Sequence, residues 1–349
     1  MRNIAIISTD WHIDAGNVEL SKNLAAQQIL LAKKKGVKLL FCLGDIFDSR
    51  KAQPELVLNC FKEILDKVQD EGMELWSIAG NHDKTDSYSW SSFLRPFAEH
   101  PAFHYIEKQE VVQWDKNVWV FQSYIKEPLW VENLSEILSK YGPYDKPMYL
   151  FSHQAMNGSR NNDGSTMVSS INQKLLLPFE KCFFGHYHDA QQPLPNAYHL
   201  SAWKQKNFGE NANKGFYVLQ EDENGILDVE FCKSEFPEFE TLEVEASALT
   251  PETCKKLIEE VEAAGSCSVR LAVTGTTDEL KALPTKQLNE AGIKIKTIDT
   301  LEKTMVEEGV QVEDYEKDET LVDAFKAFCM EKDYNFEEGL EYLKLALCN

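Results

Sequence analysis

Five short segments of this chain carry residues able to hold a divalent cation, and each stands just past an apolar run. In order they are Asp10-Trp11-His12, Gly44-Asp45-Ile46-Phe47-Asp48, Gly80-Asn81-His82-Asp83, Ser152-His153 and Gly185-His186-Tyr187-His188. Carboxylate, imidazole and amide oxygen together make a donor set for hard-to-borderline ions such as Mn²⁺, Fe²⁺, Zn²⁺ or Mg²⁺. On an extended segment, D-x-H and H-x-H send two side chains the same way. One such segment alone means little, since an isolated G-D is ordinarily a turn or a helix cap. Five in order, using five of the eight histidines, point to one site. Asp45 is the residue that makes sense of the others, because one carboxylate can bridge two cations. His100, His104 and His199 stand outside these segments and are expected to be structural.

The elements that must position these residues are strands that stop where the segments begin. Leu39–Leu43 is a continuous apolar run ended by Gly44, which suits an inner parallel strand covered on both faces. Ile4–Ile7 and Leu75–Ala79 read as strands too. Val18–Lys35 is predicted helical, with lysines that suit its carboxyl end. Glu55–Val68 repeats Leu56, Phe61, Ile64, Leu65 and Val68 at helical spacing. Alternating strands and helices imply a mostly parallel sheet. Residues beyond the carboxyl ends of such strands converge on one crevice. From Phe103 onward the strands lie closer together: Val118–Gln122, Met148–Ser152, Cys182–Phe184, Phe216–Leu219 and Leu227–Phe231. They predict a second, more antiparallel sheet packed on the first, with Glu221–Gly225 as a hairpin turn. Asn157–Ser170 is polar and is expected to be a surface loop beside the site.

Composition changes after Glu235. Thr241–Ala246 reads as a strand, Pro251–Ala264 as a helix with proline in its first turn, and Ser268–Thr274 as a strand. Thr285–Ala291 reads as a helix and Ile293–Thr297 as a strand, completing a small α/β unit. A chain of 349 residues has room for two or three domains. Its net charge of −21 is uneven: residues 1–220 hold 23 basic against 25 acidic side chains, residues 221–349 hold 13 against 32. That argues against non-specific adhesion to DNA, but not against a local basic path on the near-neutral part. The amino-terminal apolar run is short and no long uncharged stretch follows, so neither a signal peptide nor a membrane span is expected. The eight cysteines form no C-x-x-C pair, and Cys42, Cys182 and Cys232 sit in apolar runs. Reduced thiols in a cytoplasm are the expectation.

Taken together, D-W-H, G-D-I-F-D, G-N-H-D, S-H and G-H-Y-H resemble the five signatures of calcineurin-like metallophosphoesterases. The resemblance implies an α/β fold: two sheets in a sandwich flanked by helices. It implies two divalent ions, Mn²⁺ or Mg²⁺. Asp10, His12, Asp45 and His188 would hold the first, and Asp45, Asn81, His153 and His186 the second, with Asp45 as the bridge. His82 corresponds to the non-ligand histidine that faces the scissile phosphate. Asp48 and Asp83 correspond to positions that orient ligands, and complete the catalytic set. Such a metal pair, roughly 3.5–4 Å apart, clamps a phosphodiester and makes water nucleophilic at neutral pH. His82 would stabilise charge on phosphorus or protonate the leaving oxygen.

Within that superfamily, Phe208-Gly209-Glu210 and Lys214-Gly215-Phe216 resemble the segment after the last motif in SbcD-type DNA-repair nucleases. The small α/β unit resembles their capping domain, and the end of the chain their ATPase-binding tail. Order, length and acidity resemble the recombination endonuclease subunits of T-even-like bacteriophages. Leu200-Ser201 departs from the usual Gly-Ser. Asp48 stands where the archaeal and eukaryotic branch has histidine and the bacterial and phage branch aspartate. The implied organisation is a nuclease domain at 1–235, a capping domain at 236–302, an acidic linker at 303–317 and a helical hairpin at 318–349. In that hairpin Leu321, Phe325 and Phe328 share one helical face, and Phe336, Leu340, Leu343 and Leu347 another. Helices so short need a surface to bury against, which the resemblance implies is an SbcC-like coiled-coil ATPase.

The implied function is a DNA exonuclease and endonuclease. It would be the nuclease subunit of an ATPase-coupled repair or recombination complex, dimeric through its nuclease domain, in the cytoplasm of a bacterium or phage-infected host. Phosphate contacts are expected from Arg50, Lys51, Arg160, Lys204, Lys206 and Lys214. Stacking on unpaired bases is expected from Trp11, Tyr187 and Trp203. Two other classes stay open: a small-molecule phosphodiesterase or protein phosphatase using the same site, and a non-catalytic scaffold that recruits an ATPase to DNA.

Overall fold

The structure, a computed structural model, describes residues 1–142, 145–161, 165–264 and 268–300. The acidic stretch 303–317 and the segment with Leu321, Phe325, Phe328, Phe336, Leu340, Leu343 and Leu347 lie outside the described residues. The chain divides into two compact units, Met1–Phe239 and Glu240 onward.

In the larger unit the apolar runs fold as strands covered on both sides. The order begins β1 (Arg2–Ser8), α1 (Val18–Lys35), β2 (Leu39–Cys42), α2 (Glu55–Asp70), β3 (Glu74–Ile78) and β4 (Phe103–Ile106). The four strands pair in parallel in that sequence. Leu40 and Cys42 of β2 face Leu24 and Ile29 of α1 and Phe61 and Leu65 of α2 in one buried cluster. Phe41 and Leu43 point the other way, into a second cluster with Trp119, Phe121, Phe151 and Phe183. Burying an aliphatic or aromatic side chain of this kind contributes about 1.5–3 kcal/mol, so this double coverage is what holds the strand ends still.

The second sheet holds β5 (Gln109–Gln113), β6 (Val118–Gln122), β7 (Met148–His153), β8 (Lys181–Gly185), β9 (Gln191–Leu194) and β10 (Ala197–His199), with α3 (Glu127–Tyr141) between β6 and β7 and α4 (Gln173–Leu176) before β8. α3 covers its outer face through Trp130, Leu134 and Ile137. The layers are helix, sheet, sheet, helix, in agreement with the expected two-sheet sandwich.

Two details differ from the sequence reading. The second sheet is parallel through its centre: β6, β7, β8 and β10 pair in parallel, and only the β5 and β9 edges are antiparallel. Its parallel crossover is made by α3, which the strand pattern does not announce. Phe216–Leu219 and Leu227–Phe231 do not join this sheet either. They form β11 (Gly215–Glu221), antiparallel to β1, and β12 (Leu227–Lys233), its hairpin partner. Leu219 and Leu227 lie in the cluster shared by both sheets, so an apolar pattern alone fits membership of either. The turn between them is a hairpin, as expected, with the Asp222 carboxylate accepting the N–H groups of Asn224 and Ile226.

The smaller unit contains β13 (Phe239–Glu245, its first residue the last of the larger unit), α5 (Pro251–Ala264), β14 (Ser268–Gly275), α6 (Thr277–Lys281), α7 (Thr285–Glu290) and β15 (Lys294–Asp299), in a three-stranded sheet of order β13-β14-β15. Cys254, Leu271, Val273, Leu288 and Ile293 fill its core. Thr276 and Glu279 make a reciprocal capping box that starts α6. The five cysteines among the described residues are free thiols. No described helix is long and apolar enough to cross a membrane.

Trp11 and Trp203 do not offer faces to unpaired bases. Both are buried, stacked on one another with ring centroids 4.3 Å apart. Trp203 Nε1–H donates to the Trp11 carbonyl and Trp11 Nε1–H to Ser8 Oγ, 2.9 Å each. An indole is amphipathic enough to serve either purpose, and only burial decides. The pair ties the segment after β10 to Asp10-Trp11-His12. Trp203→Ala is expected to destabilise the unit by about 3–5 kcal/mol, seen as a lowered urea midpoint.

Candidate metal centre

The five segments leave the carboxyl ends of β1, β2, β3, β7 and β8. The first two run side by side: Asp10 N–H bonds to the Gly44 carbonyl and His12 N–H to the Asp45 carbonyl, 3.0 Å each. Among the described residues, the non-glycine positions at positive φ are Asp10 (52°), His12 (47°), Asp45 (54°) and His186 (91°). All four lie in these segments. Backbone strain of this kind costs about 1–3 kcal/mol per residue and persists only where surrounding structure imposes it. Two glycines let the loops close. A Cβ on Gly80 would lie 2.1 Å from Asp45 Oδ1, and one on Gly185 would lie 2.2 Å from Thr9 Oγ1.

Asp45 stands at the centre. Its Oδ1 accepts the His82 backbone N–H at 2.7 Å. Its Oδ2 lies 3.7 Å from His12 Nε2 on one side and 3.3 Å from His153 Nε2 on the other. On the His12 side, His12 Nε2 and His188 Nε2 are 3.0 Å apart, each 3.9 Å from Asp10 Oδ1. On the His153 side, Asn81 Oδ1 lies 3.0 Å from His153 Nε2 and 2.8 Å from His186 Nδ1. Nitrogen lone pairs aimed at each other at such distances repel unless a proton or a cation lies between them. Mixed imidazole, carboxylate and amide oxygen donors fit a divalent ion.

Three of the remaining ring nitrogens are tied back. His153 Nδ1–H donates to the Leu43 carbonyl at 2.7 Å, which leaves Nε2 to the site. His188 Nδ1 pairs with Glu210 Oε1 at 2.8 Å and His12 Nδ1 with Asp48 Oδ1 at 3.1 Å. Such partners set the tautomer and the ring angle of a ligating histidine. His82 differs: its Nδ1–H donates to the Asp48 carbonyl at 2.5 Å and its half-buried ring meets His12 edge-on. It stands beside the two donor groups, held through Nδ1.

Burial outweighs the pull of Asp48 and lowers His12 to about 4, and burial drives His186 well down as well, so both imidazoles are neutral. Burial opposes the ionised Asp45, but His153 beside it holds the carboxyl well below the carboxylate range. Burial and the nearby Asp45 push Asp83 up to about 7.

The two Asp83 oxygens accept the N–H groups of Phe47 (3.0 Å) and Gly80 (2.8 Å), stapling two loops together. Asp48 contacts His12 through its carboxylate and His82 through its carbonyl. Several other expected roles change. Lys214 is fully buried, donating to the His188 carbonyl (2.6 Å) and Asp189 (2.5 Å), and cannot reach a phosphate. Lys206 forms an ion pair with Asp48, and Lys204 is buried. Arg50, Lys51 and Arg160 are exposed. Tyr187 donates its hydroxyl to Asn161 at 2.9 Å and packs on His186 and His199. His199 is structural, bonded to Ser159 and to the Gly185 carbonyl. His100 pairs with Asp66, and His104 with Glu110. Glu210 is a site residue that sequence reasoning placed only within a family-like segment, since nothing in its spacing assigns it to His188.

With this fold and this convergence of donors, residues 4–190 match the calcineurin-like phosphoesterase family, more than half of the chain, and the chain belongs to that family. It is 24% identical over 221 residues to exonuclease subunit 1 of enterobacteria phage T4, covering 60% of this chain and 62% of that one. The match thus spans less than two thirds of that relative's length. Among solved structures, a dimetal phosphatase from Danio rerio is 10% identical, with 62% of this chain and 91% of that chain covered and a TM-score of 0.44. Nuclease MPE from Pseudomonas putida is 14% identical, with 64% and 86% covered and a TM-score of 0.31.

Lys204 provides a test of the revised assignments. Burial lowers its ammonium from the usual 10.5 to about 8. Between those values the unfolded chain binds more protons than the folded one, so this group makes stability rise with pH there and weighs against folding below pH 8. Lys204→Met is expected to stabilise the protein at pH 7 by about 1–3 kcal/mol. Urea unfolding at pH 7 and pH 10.5 should show that gain shrinking toward zero at the higher pH.

Proposed function

We propose that this chain is a two-metal phosphodiesterase acting on DNA, the nuclease subunit of an ATPase-coupled repair or recombination complex. The observation that carries the reading is the placement of Asp45 Oδ2 between two separate donor groups while Oδ1 is occupied by His82 N–H. Asp10, His12 and His188 would hold one cation, Asn81, His153 and His186 the other, and Asp45 both. Four imidazoles among carboxylate and amide oxygens favour Mn²⁺, with Mg²⁺ the alternative. When bound, such a pair polarises the phosphoryl oxygens and makes water nucleophilic at neutral pH.

The protein's own groups do the rest. The loops fix the donors before substrate arrives, so little reorganisation accompanies the reaction. His82, its ring held through Nδ1–H, would as an imidazolium present Nε2–H to the phosphoryl group and pass that proton to the leaving oxygen, returning to the neutral imidazole. Exposed Arg50, Lys51 and Arg160 take backbone phosphates, and Tyr187 is the aromatic left to stack on a base. DNA as substrate is supported by likeness to a phage exonuclease subunit and by the near-neutral charge of residues 1–220. The SbcC-like ATPase, the homodimer and a cytoplasmic setting complete the proposal.

Two substitutions test it. Asp45→Asn keeps the shape but removes the bridging charge. It is expected to abolish hydrolysis of DNA and to release at least one of two Mn²⁺ equivalents, with the unfolding transition retained. Two full equivalents in an active Asp45→Asn protein would refute the bridge. His82→Ala is expected to keep both equivalents and the affinity for DNA while slowing cleavage by about 10²–10⁴-fold. Single-turnover kinetics on DNA, run beside phosphopeptides and cyclic nucleotides, read the rate and the substrate class together.

A further inference from the structure

The two donor groups are braced by different parts of the chain. In the second, His153 is fixed by a main-chain carbonyl, that of Leu43, which no side-chain substitution removes. In the first, both histidines are fixed by side chains, and both lead to one segment between β10 and β11, Gln205–Glu210. Glu210 is 5% exposed and uses both carboxylate oxygens. Oε1 accepts His188 Nδ1–H and the Asn207 side-chain amide, 2.8 Å each. Oε2 accepts the Lys206 backbone N–H and lies 3.1 Å from Lys214 Nζ. The Lys206 ammonium meets Asp48 Oδ1, the same oxygen that pairs with His12 Nδ1.

The segment is itself clamped. Gln205 donates its amide to the Glu210 carbonyl and accepts the Phe239 N–H, 2.8 Å each. The Phe208 ring meets Phe239 edge-on at 4.9 Å. A carboxylate that takes the Nδ1–H of a ligating imidazole fixes its ring plane and raises the basicity of Nε2, and losing such a partner typically costs about 10–100-fold in metal affinity.

The geometry points to Gln205–Glu210 as the positioning loop of the first metal position, with Glu210 acting through His188 and Lys206 acting through Asp48 and His12. The loop sets the affinity of that position and leaves the second one alone. This deepens the two-cation reading and rests on it.

The test is Mn²⁺ titration with site-resolved backgrounds. Unsubstituted protein must first bind two equivalents; fewer overturns the two-cation reading itself, and this inference with it. Asn81→Ala weakens the second position, so the tighter remaining ion reports on the first. In that background Glu210→Ala is expected to raise Kd by about 10–100-fold, and Glu210→Gln, which keeps a hydrogen-bond acceptor without the charge, by less. Lys206→Met, on a partly exposed side chain, is expected to move Kd in the same direction and covers the case in which the buried glutamate variants fail to fold. Asp10→Asn weakens the first position, and there the same substitutions should change the remaining Kd far less than in the Asn81→Ala background, because Asp45 is the one ligand the two positions share. Unchanged Kd in the Asn81→Ala background, or equal weakening in both, overturns the inference.

Discussion

The site depends on how one carboxylate divides its two oxygens. Asp45 Oδ1 receives a backbone N–H from the loop after β3, and that bond turns Oδ2 toward two groups of donors at once. The bond is possible because Gly80 has no side chain where Asp45 must lie. It also holds His82 next to the bridge, since the donor is His82's own N–H. One short interaction therefore sets the direction of Oδ2, its place between the two groups and the position of His82.

Keeping four non-glycine residues in left-handed backbone takes several kcal/mol. The hydrogen bonds between the loops supply part of it, and further support comes from below. β2 is packed on α1 and α2 through one face and on the second sheet through the other, so the turn at Gly44 starts from a strand end that cannot shift. Asp83 then joins the loops after β2 and β3 through two buried N–H bonds, and the Trp11–Trp203 stack joins the first loop to the segment carrying Lys206 and Glu210. Charges that surface composition would assign to a nucleic acid are spent inside this framework: Lys214 on His188 and Asp189, Lys206 on Asp48.

The sequence by itself determined the kind of chemistry. Donor types, their order and their position after apolar runs follow from residue identity and from the short range of strand and turn preferences, and so were legible without coordinates. So were α1, α2 and the parallel start of the first sheet, whose periodicities are strong. What only the tertiary structure decided is everything that depends on contact between distant segments. β11 and β12 belong to the first sheet because β1 offers them an open edge, although their apolar pattern suits either sheet. A lysine or tryptophan has the same identity whether it is buried or exposed, so Lys204, Lys214, Trp11 and Trp203 read as surface contacts until burial placed them in the framework. Glu210 lay 22 residues beyond His188 with no spacing rule to join them, and only the return of the chain beside β1 brings carboxylate and imidazole within a hydrogen bond.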